Sequence, residues 1–166
     1  MADGGVWTKI YPDVASLGGG KVLQVVHAKA ATNATQVEKT TTPTPVNGMS
    51  LTVSNIQPGS NIYLFAGLLL QSQSNGNAWN RSFCRIVNGD GGAMPGCSAG
   101  RLGDTNYSFN GTPTCDQYMT LLAHDLNPGT SQSYQVEMWS NADNIAVSHL
   151  AGANHPIFYA MEVDEA

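Results

Sequence analysis

The sequence predicts an all-β fold: an antiparallel β-sandwich of the jelly-roll kind that follows a short extended N-terminal arm. Three observations lead to this fold class. Short segments of alternating apolar and polar residues recur along the chain, turn residues separate them, and nowhere do apolar residues keep a 3.6-residue period for three turns. A length of 166 residues suits one such domain. We therefore divide the chain into an arm with a glycine hinge, residues 1–20, and a β-sandwich domain, residues 21–166.

The arm combines a few large apolar residues with a run of glycines. The large apolar residues are Trp7, Ile10 and Tyr11, and the glycines are Gly18, Gly19 and Gly20. Because glycine has no side chain to pack and costs entropy to order, the triple glycine is typical of a hinge. The arm is too short to fold alone, so its aromatic residues need a surface on the domain, on a sister chain or on another protein.

After the hinge, strand patterns alternate with turn signals. The predicted strands cover residues 21–29, 49–54, 62–70, 82–87, 116–124, 132–139, 144–150 and 157–163. Residues 33–42 are polar and predicted to be flexible, and residues 44–48 are predicted to turn. Further turns are predicted at 58–59 and 127–129, and a hairpin connection at 141–144. The apolar run 62–70 predicts a core strand that is buried on both faces or lies in the centre of a sheet.

Composition narrows the possible partners. The seven Lys and Arg residues are scattered in a chain of net charge −5, so no basic stripe is available for nucleic acid. No apolar run is long enough for a membrane helix, and residues 1–20 lack the order of a signal peptide. The three cysteines cannot all pair within one chain, and a reducing cytosol would keep them as thiols. We expect neither nucleic acid nor membrane as a partner.

The strand edges point to self-association. Charged residues make up only 11% of the sequence, so few lysines are available to protect exposed edges from pairing with other chains. Burial of these edges inside an oligomer would remove the hazard. The residues therefore predict a homo-oligomer.

Three segments share the order of elements of a known module. They are a glycine step into KVLQVV at 18–28, the strand pair 48–53 and 62–70, and the ending SYQVE and IFYAME at 133–137 and 157–162. Together, from about residue 18 to residue 164, they resemble a β-sandwich module of tailed-bacteriophage virion proteins. The loop 88–111 departs from that module because it is poorer in Arg and Ser, and only a short arm stands where fibre proteins carry a long shaft.

The resemblance implies a structural role in a virion. It implies a homotrimer with strands packed around a threefold axis, used as a capsid decoration or cement protein, a head fibre or a tail component. We expect the arm to dock to major capsid or tail proteins through Trp7, Ile10 and Tyr11. The expected location is the virion, after assembly in the cytoplasm of the bacterial host.

One string in the sequence is enzyme-like. Residues 96–100 match the G-x-S-x-G nucleophile elbow around Ser98. An elbow needs a buried strand before the serine and a helix after it, whereas glycines and Pro95 precede this one. A serine hydrolase is thus a remote alternative, and we expect no enzyme and no catalytic residue. The four histidines lie far apart in sequence, so we expect no metal and no cofactor.

A carbohydrate-recognising module at a tail-fibre tip is the main alternative. Two predicted loops carry flat rings and amides, the groups that hold sugars by stacking and hydrogen bonding. These residues are Trp79, Asn80, Tyr107 and Phe109. The partner would then be a host surface glycan. The same side chains would also serve to pack the loops against the sandwich or a neighbouring subunit.

Overall fold

Every regular element in the described part of the chain is a β-strand. The computed structural model describes residues 20–28, 36–38, 40–74, 82–95, 100–101, 114–140, 145–149 and 156–164. The strands in these ranges are β1 (Lys21–His27), β2 (Gln36–Glu38), β3 (Thr44–Ser54), β4 (Asn61–Ser74), β5 (Ser82–Asn88), β6 (Gly100–Arg101), β7 (Thr114–Leu126), β8 (Ser131–Ser140), β9 (Ile145–His149) and β10 (Ile157–Asp164). The all-β prediction is confirmed.

The strands form two antiparallel sheets. The four-stranded sheet has the order β3-β8-β5-β6, and the six-stranded sheet has the order β1-β10-β4-β9-β2 with β7 also paired to β4. β10 pairs with the first half of β4 and β9 with its end, whereas β7 runs along nearly all of β4. β4 is therefore the central strand of the six-stranded sheet.

The wiring is that of a jelly roll. When β2 and β9 are set aside, the first strand pairs with the last and the others nest inside this pair. The nested pairs are β1 with β10, β3 with β8, β4 with β7 and β5 with β6. A long hairpin rolled into two sheets gives this order. The predicted antiparallel β-sandwich of the jelly-roll kind is thus confirmed.

The core lies between the inner faces of the two sheets. Side chains alternate across a strand, so every second residue of β3 and β4 points inward. The inner side chains of these two strands include Met49, Leu51, Val53, Ile62, Leu64, Ala66, Leu68 and Leu70. Cys84, Ile86, Val136, Met138 and Phe158 meet them from the other strands. Each fully buried large apolar side chain stabilises the fold by about 1.5–3 kcal/mol.

Turn chemistry explains where several strands end. Gly59 has φ 86°, and Asn127 and Gly129 have φ 64° and 82°, values that glycine and asparagine tolerate best. The first turn separates β3 from β4, and the second separates β7 from β8. Both turns were predicted from the sequence and are confirmed.

Three local predictions were wrong. Residues 36–38, expected to be flexible, form β2 on β9. Residues 44–48 do not turn the chain, because they lie inside β3, where the register shifts between Pro45 and Ser50 and Gly48 has φ 75°. The turn residues there produce a β-bulge. No hairpin joins β8 to β9, since the two strands belong to different sheets.

Two carboxylates of the six-stranded sheet point into the sandwich, and each has a partner. The Tyr134 hydroxyl of β8 donates a hydrogen bond of 2.8 Å to Asp125 Oδ2 of β7, which joins the two sheets. Burial, reinforced by the hydrogen bond to Asp125 and its negative charge, raises the pKa of Tyr134. Glu162 is buried and accepts bonds from the Gln57 backbone N–H at 2.6 Å and from Gln24 Nε2 at 2.5 Å.

Candidate functional site

The outer face of the six-stranded sheet is the most unusual surface of the described chain. The register aligns its side chains in rows across β10, β4 and β7. These rows are Met161–Tyr63–His124, Tyr159–Phe65–Leu122 and Ile157–Gly67–Thr120. The residues that alternate with them along β4 are buried in the core, so these rows face away from the sandwich. We call this surface the apolar face.

Exposed hydrophobic residues are confined to the apolar face. Within the described ranges, the large hydrophobic side chains that remain exposed are Val22, Tyr63, Tyr118, Leu122, Leu126, Tyr159 and Met161. The pairing places all of them on this one face. Leu122 is 63% exposed and Leu126 60%, although both lie in the middle or at the end of a regular strand. A contiguous apolar patch of this kind marks an interaction surface.

A glycine at the centre of the face gives it relief. A methyl group on Gly67 would lie 2.5 Å from Tyr118 Oη and 3.0 Å from Ile157 Cγ1. The Tyr118 ring therefore lies across the strand at Gly67, an arrangement in which an aromatic side chain fills the gap left by a glycine on the neighbouring strand. The result is a closely packed aromatic surface, with Tyr118 still 51% exposed.

Between Asn61 and Leu69 of β4, the rows of the apolar face contain no residue with a formal charge; beyond these rows, the backbone register pairs Gln71 with Asp116. The polar members of these rows are amides, hydroxyls and two imidazoles. One of the imidazoles, His27, packs on Tyr159 with ring centroids 5.9 Å apart. The nearby carboxylates of Asp125 and Glu162 point to the opposite side of the sheet, where Tyr134 and Gln24 hold them.

The outer face of the four-stranded sheet is different. Hydroxyl and amide groups dominate it between β3 and β8, where Thr52 Oγ1 and Ser133 Oγ lie 2.8 Å apart. A cavity of about 300 Å³ opens there, lined by Ser50, Leu51, Thr52, Gly89, Ser133, Tyr134 and Gln135. A polar outer face is what a sheet in contact with water ordinarily shows. The contrast singles out the apolar face as the candidate site.

A small ionic and aromatic cluster stabilises the far end of that polar face. Arg85 Nε and Nη2 each lie 2.9 Å from Glu137 Oε2. The guanidinium carbon is 5.5 Å from the centre of the Trp139 ring, which also stacks on Phe83 at 5.3 Å. These contacts join β5 to β8 and satisfy the Arg85 charge, so the cluster is structural.

Nearly all of the residues singled out from the sequence lie outside the described residues. They are Trp7, Ile10, Tyr11, Gly18, Gly19, Trp79, Asn80, Tyr107 and Phe109, together with Ser98 of the elbow-like string. Gly20 is described; it is exposed and directly precedes β1. The roles of the arm, the hinge and the aromatic loops therefore stay predictions.

Sequence reasoning missed the apolar face, although a signal for it was present. The run Ile62 to Leu70 is apolar on both of its alternating faces, which predicted either burial on both faces or a position in the centre of a sheet, and β4 does lie in the centre of its sheet. In the structure its even positions are buried, whereas Tyr63 is 36% exposed and Phe65 and Leu69 are half-buried. The apolar residues at the odd positions of β4 are the pattern that could have located this surface.

The described residues contain neither a metal-ligand cluster nor a membrane-spanning helix. No group of three or more His, Cys, Asp or Glu side chains is arranged there to hold a metal ion. The same ranges contain no helix that is long and apolar enough to cross a membrane.

Comparison with known proteins gives weak structural similarities alone. No protein-family model and no curated protein matches the chain. Among solved structures, the VP2 subviral particle of infectious bursal disease virus is 13% identical with a TM-score of 0.38. The alignment covers 98% of this chain and 43% of the VP2 chain. The enzymatically active domain of tailspike protein 4 from bacteriophage CBA120 is 14% identical with a TM-score of 0.35. That alignment covers 86% of this chain and 18% of the tailspike chain. Dimeric latent PorU from Porphyromonas gingivalis is 10% identical with a TM-score of 0.32. That alignment covers 89% of this chain and 14% of the PorU chain.

The chain spans less than half the length of each of these structures. The group includes a protein of a subviral particle and a phage tailspike domain. The similarity is not specific to such proteins. The fold and the apolar face define a jelly-roll β-sandwich with one outer face suited to association.

Proposed function

We propose that this chain is a structural protein of a bacteriophage virion, a β-sandwich that assembles as a homotrimer and attaches to the particle through its N-terminal arm. In this proposal it serves as a capsid decoration or cement protein, a head fibre or a tail component. It is assembled in the cytoplasm of the bacterial host, and its partners are other copies of itself and major capsid or tail proteins.

The observation that carries the proposal is the apolar face, whose rows from Asn61 to Leu69 of β4 contain no charged residue. A chain that exposes such a face at the centre of a regular sheet is built to be covered by another protein. The resemblance of residues 18–164, in order, to the phage module supports a location in a virion. Jelly rolls also recur in viral capsid domains. Because one fold hosts many functions, the fold alone supports assembly without selecting the particle.

The proposal includes no catalytic role. A nucleophile elbow would continue from Ser98 into a helix. Instead, Gly100–Arg101 form β6, which pairs with Phe83 and Cys84 of β5. A strand at this position argues against the helix that an elbow requires. Purified chain that hydrolyses a simple ester, with loss of turnover in Ser98→Ala, would contradict this part of the proposal.

Deletion of residues 2–17 tests the attachment. We expect the truncated chain to fold into the same oligomer and to be missing from phage particles purified from a host that supplies it in place of the parent chain. The matched control is the full chain with Gln57→Ala, an exposed residue of the turn before β4, which should enter particles. Particles that contain the truncated chain at the parent level would refute the anchoring role of the arm.

A carbohydrate-binding role is the second candidate, and the polar cavity on the four-stranded sheet favours it. Its hydroxyl and amide lining suits a sugar. A glycan array with the purified chain, compared with Gln135→Ala in the cavity and Trp79→Ala in the predicted loop, separates the two functions. Retained, variant-sensitive binding to one glycan would favour receptor recognition; an array without signal would favour the structural role.

A further inference from the structure

We propose that the apolar face is the self-association surface of the protein, and that the same face of other copies of this chain covers it. The inference deepens the proposed function and rests on its homo-oligomer part, since it names the surface by which the copies meet. It does not depend on where a virion would hold the protein.

The first argument comes from β4 itself. Strands that are covered on both faces have apolar residues at successive positions, whereas a strand with one wet face alternates. From Ile62 to Leu70, β4 contains only aliphatic and aromatic residues and one glycine. The other sheet covers only its even positions. Its odd positions have the composition of an interior, yet Tyr63 is exposed and Phe65 and Leu69 are only half-buried. A second layer of protein on that side resolves the mismatch.

The size of the face suits a protein interface. Four neighbouring strands, β1, β10, β4 and β7, span about 19 Å at the usual strand spacing, and ten residues of β4 extend about 33 Å, which gives a footprint of about 600 Å². A standard interface buries about 800 Å² of accessible surface on each partner. Since protruding side chains expose more area than their flat footprint, the apolar face approaches this size.

The absence of charge identifies the occupant. In the rows from Asn61 to Leu69 of β4 the face has no carboxylate or ammonium group, so it can meet the same face of other copies without like-charge repulsion, as self-association requires. Nucleic acid or an anionic lipid surface would need Lys or Arg there. The mix of Tyr, Phe, Met and Leu with few charges is also that of interface cores.

The arm of the same chain is a weaker candidate for the occupant. It brings three large apolar side chains, Trp7, Ile10 and Tyr11. The face exposes seven large hydrophobic residues spread over four strands. An arm on the face would leave most of this surface in water, whereas a facing sheet about 10 Å away would cover all of it.

The test measures mass in solution. The full chain is analysed by sedimentation equilibrium beside Leu122→Lys, which places a charge at the centre of the face on a side chain that the monomer leaves 63% exposed. Ser54→Lys is the matched control, because it adds the same charge to an exposed strand residue of the other sheet. We expect an oligomeric parent and control, and at least a 100-fold weaker association of Leu122→Lys, down to the 17.5 kDa monomer.

The other outcomes are equally decisive. If Leu122→Lys loses the parent circular dichroism spectrum, Leu126→Lys replaces it, since Leu126 is 60% exposed at the end of β7. A parent that stays monomeric, or a Leu122→Lys oligomer as tight as the parent, overturns the inference. A monomeric parent that associates only after removal of residues 2–17 would show that the arm is the occupant. A dimer that Leu122→Lys dissociates would support the face and refute the trimer.

Discussion

Replacement of Glu162 by glutamine should measure how strongly one buried carboxylate holds three elements of the sandwich together. Glu162 lies in β10 and is 1% exposed. Its Oε1 accepts the backbone N–H of Gln57 in the turn between β3 and β4, and its Oε2 accepts Gln24 Nε2 of β1. Gln24 Nε2 also donates to the Ser54 carbonyl at 2.9 Å. The carboxylate thus fixes the middle of β1 and the β3–β4 turn to β10.

Glutamine keeps the shape of Glu162 but supplies one acceptor and one donor group. If its oxygen faces the Gln57 N–H, its amide must face the Gln24 amide, which then has to turn over and release the Ser54 carbonyl. The change therefore removes charge assistance from both bonds and disrupts a third. Hydrogen bonds to a charged group contribute about 1.5–3 kcal/mol each, so we expect a loss of about 2 kcal/mol. For a chain of this length, that lowers Tm by roughly 4–8 °C.

Thermal and urea unfolding of parent and variant at one protein concentration check this value, because the stability of an oligomer depends on concentration. The control is Asp90→Asn, which removes one negative charge from an exposed turn residue and should leave Tm within about 1 °C. A double-mutant cycle with Gln24→Ala should give a coupling energy of about 1 kcal/mol or more. Additive effects, or equal Tm values for Glu162→Gln and Asp90→Asn, would refute the reasoning.

Two further substitutions test contacts within and between the sheets. Tyr134→Phe removes the hydroxyl that bridges to Asp125, and we expect urea unfolding to show a loss of about 1.5–2 kcal/mol at neutral pH. Because the raised pKa of Tyr134 means that its contribution is lost as pH rises above the ordinary tyrosine value near 10, the difference from the parent should narrow above about pH 10. Arg85→Lys removes the two-nitrogen contact with Glu137 and the stacking on Trp139; a loss of about 1 kcal/mol with altered tryptophan fluorescence is expected, and an unchanged spectrum would contradict that packing.

The local features of the fold were accessible from the sequence, because period-two patterning is a local signal. The alternation of Met49, Leu51 and Val53 with polar residues located β3, and the turn residues at Gly59 and Gly129 located strand ends. Even these signals were incomplete. The bulge at Gly48 uses the same residues as a turn, and only its neighbours in β8 keep the chain extended there.

The pairing of the strands was not accessible in the same way. β1 lies beside β10 although Lys21 and Asp164 are at opposite ends of the described chain, and no local pattern specifies that partner. β2 is short and polar and forms only because β9 offers an edge to it. Such long-range choices are made by packing of the whole sandwich. The apolar face is also a long-range feature. The sequence shows that both alternating sets of residues in β4 are apolar, but not which set the other sheet leaves uncovered.

The six-stranded sheet departs from a simple sandwich on both of its faces, although most of its inward side chains are apolar. Two of its carboxylates, Glu162 and Asp125, point inward and require dedicated partners, while Tyr63, Tyr159 and Leu122 point outward. In a lone monomer this arrangement lowers stability in two ways. Burial of the carboxylates costs desolvation free energy, and the exposed apolar side chains contribute no hydrophobic stabilisation. If the outer face is also an interior, carboxylates on that side would be buried without partners between like faces. Their placement on the inner side, where Gln24 and Tyr134 bind them, then leaves the outer rows from Asn61 to Leu69 without a charged residue, as a face that meets its own copy requires.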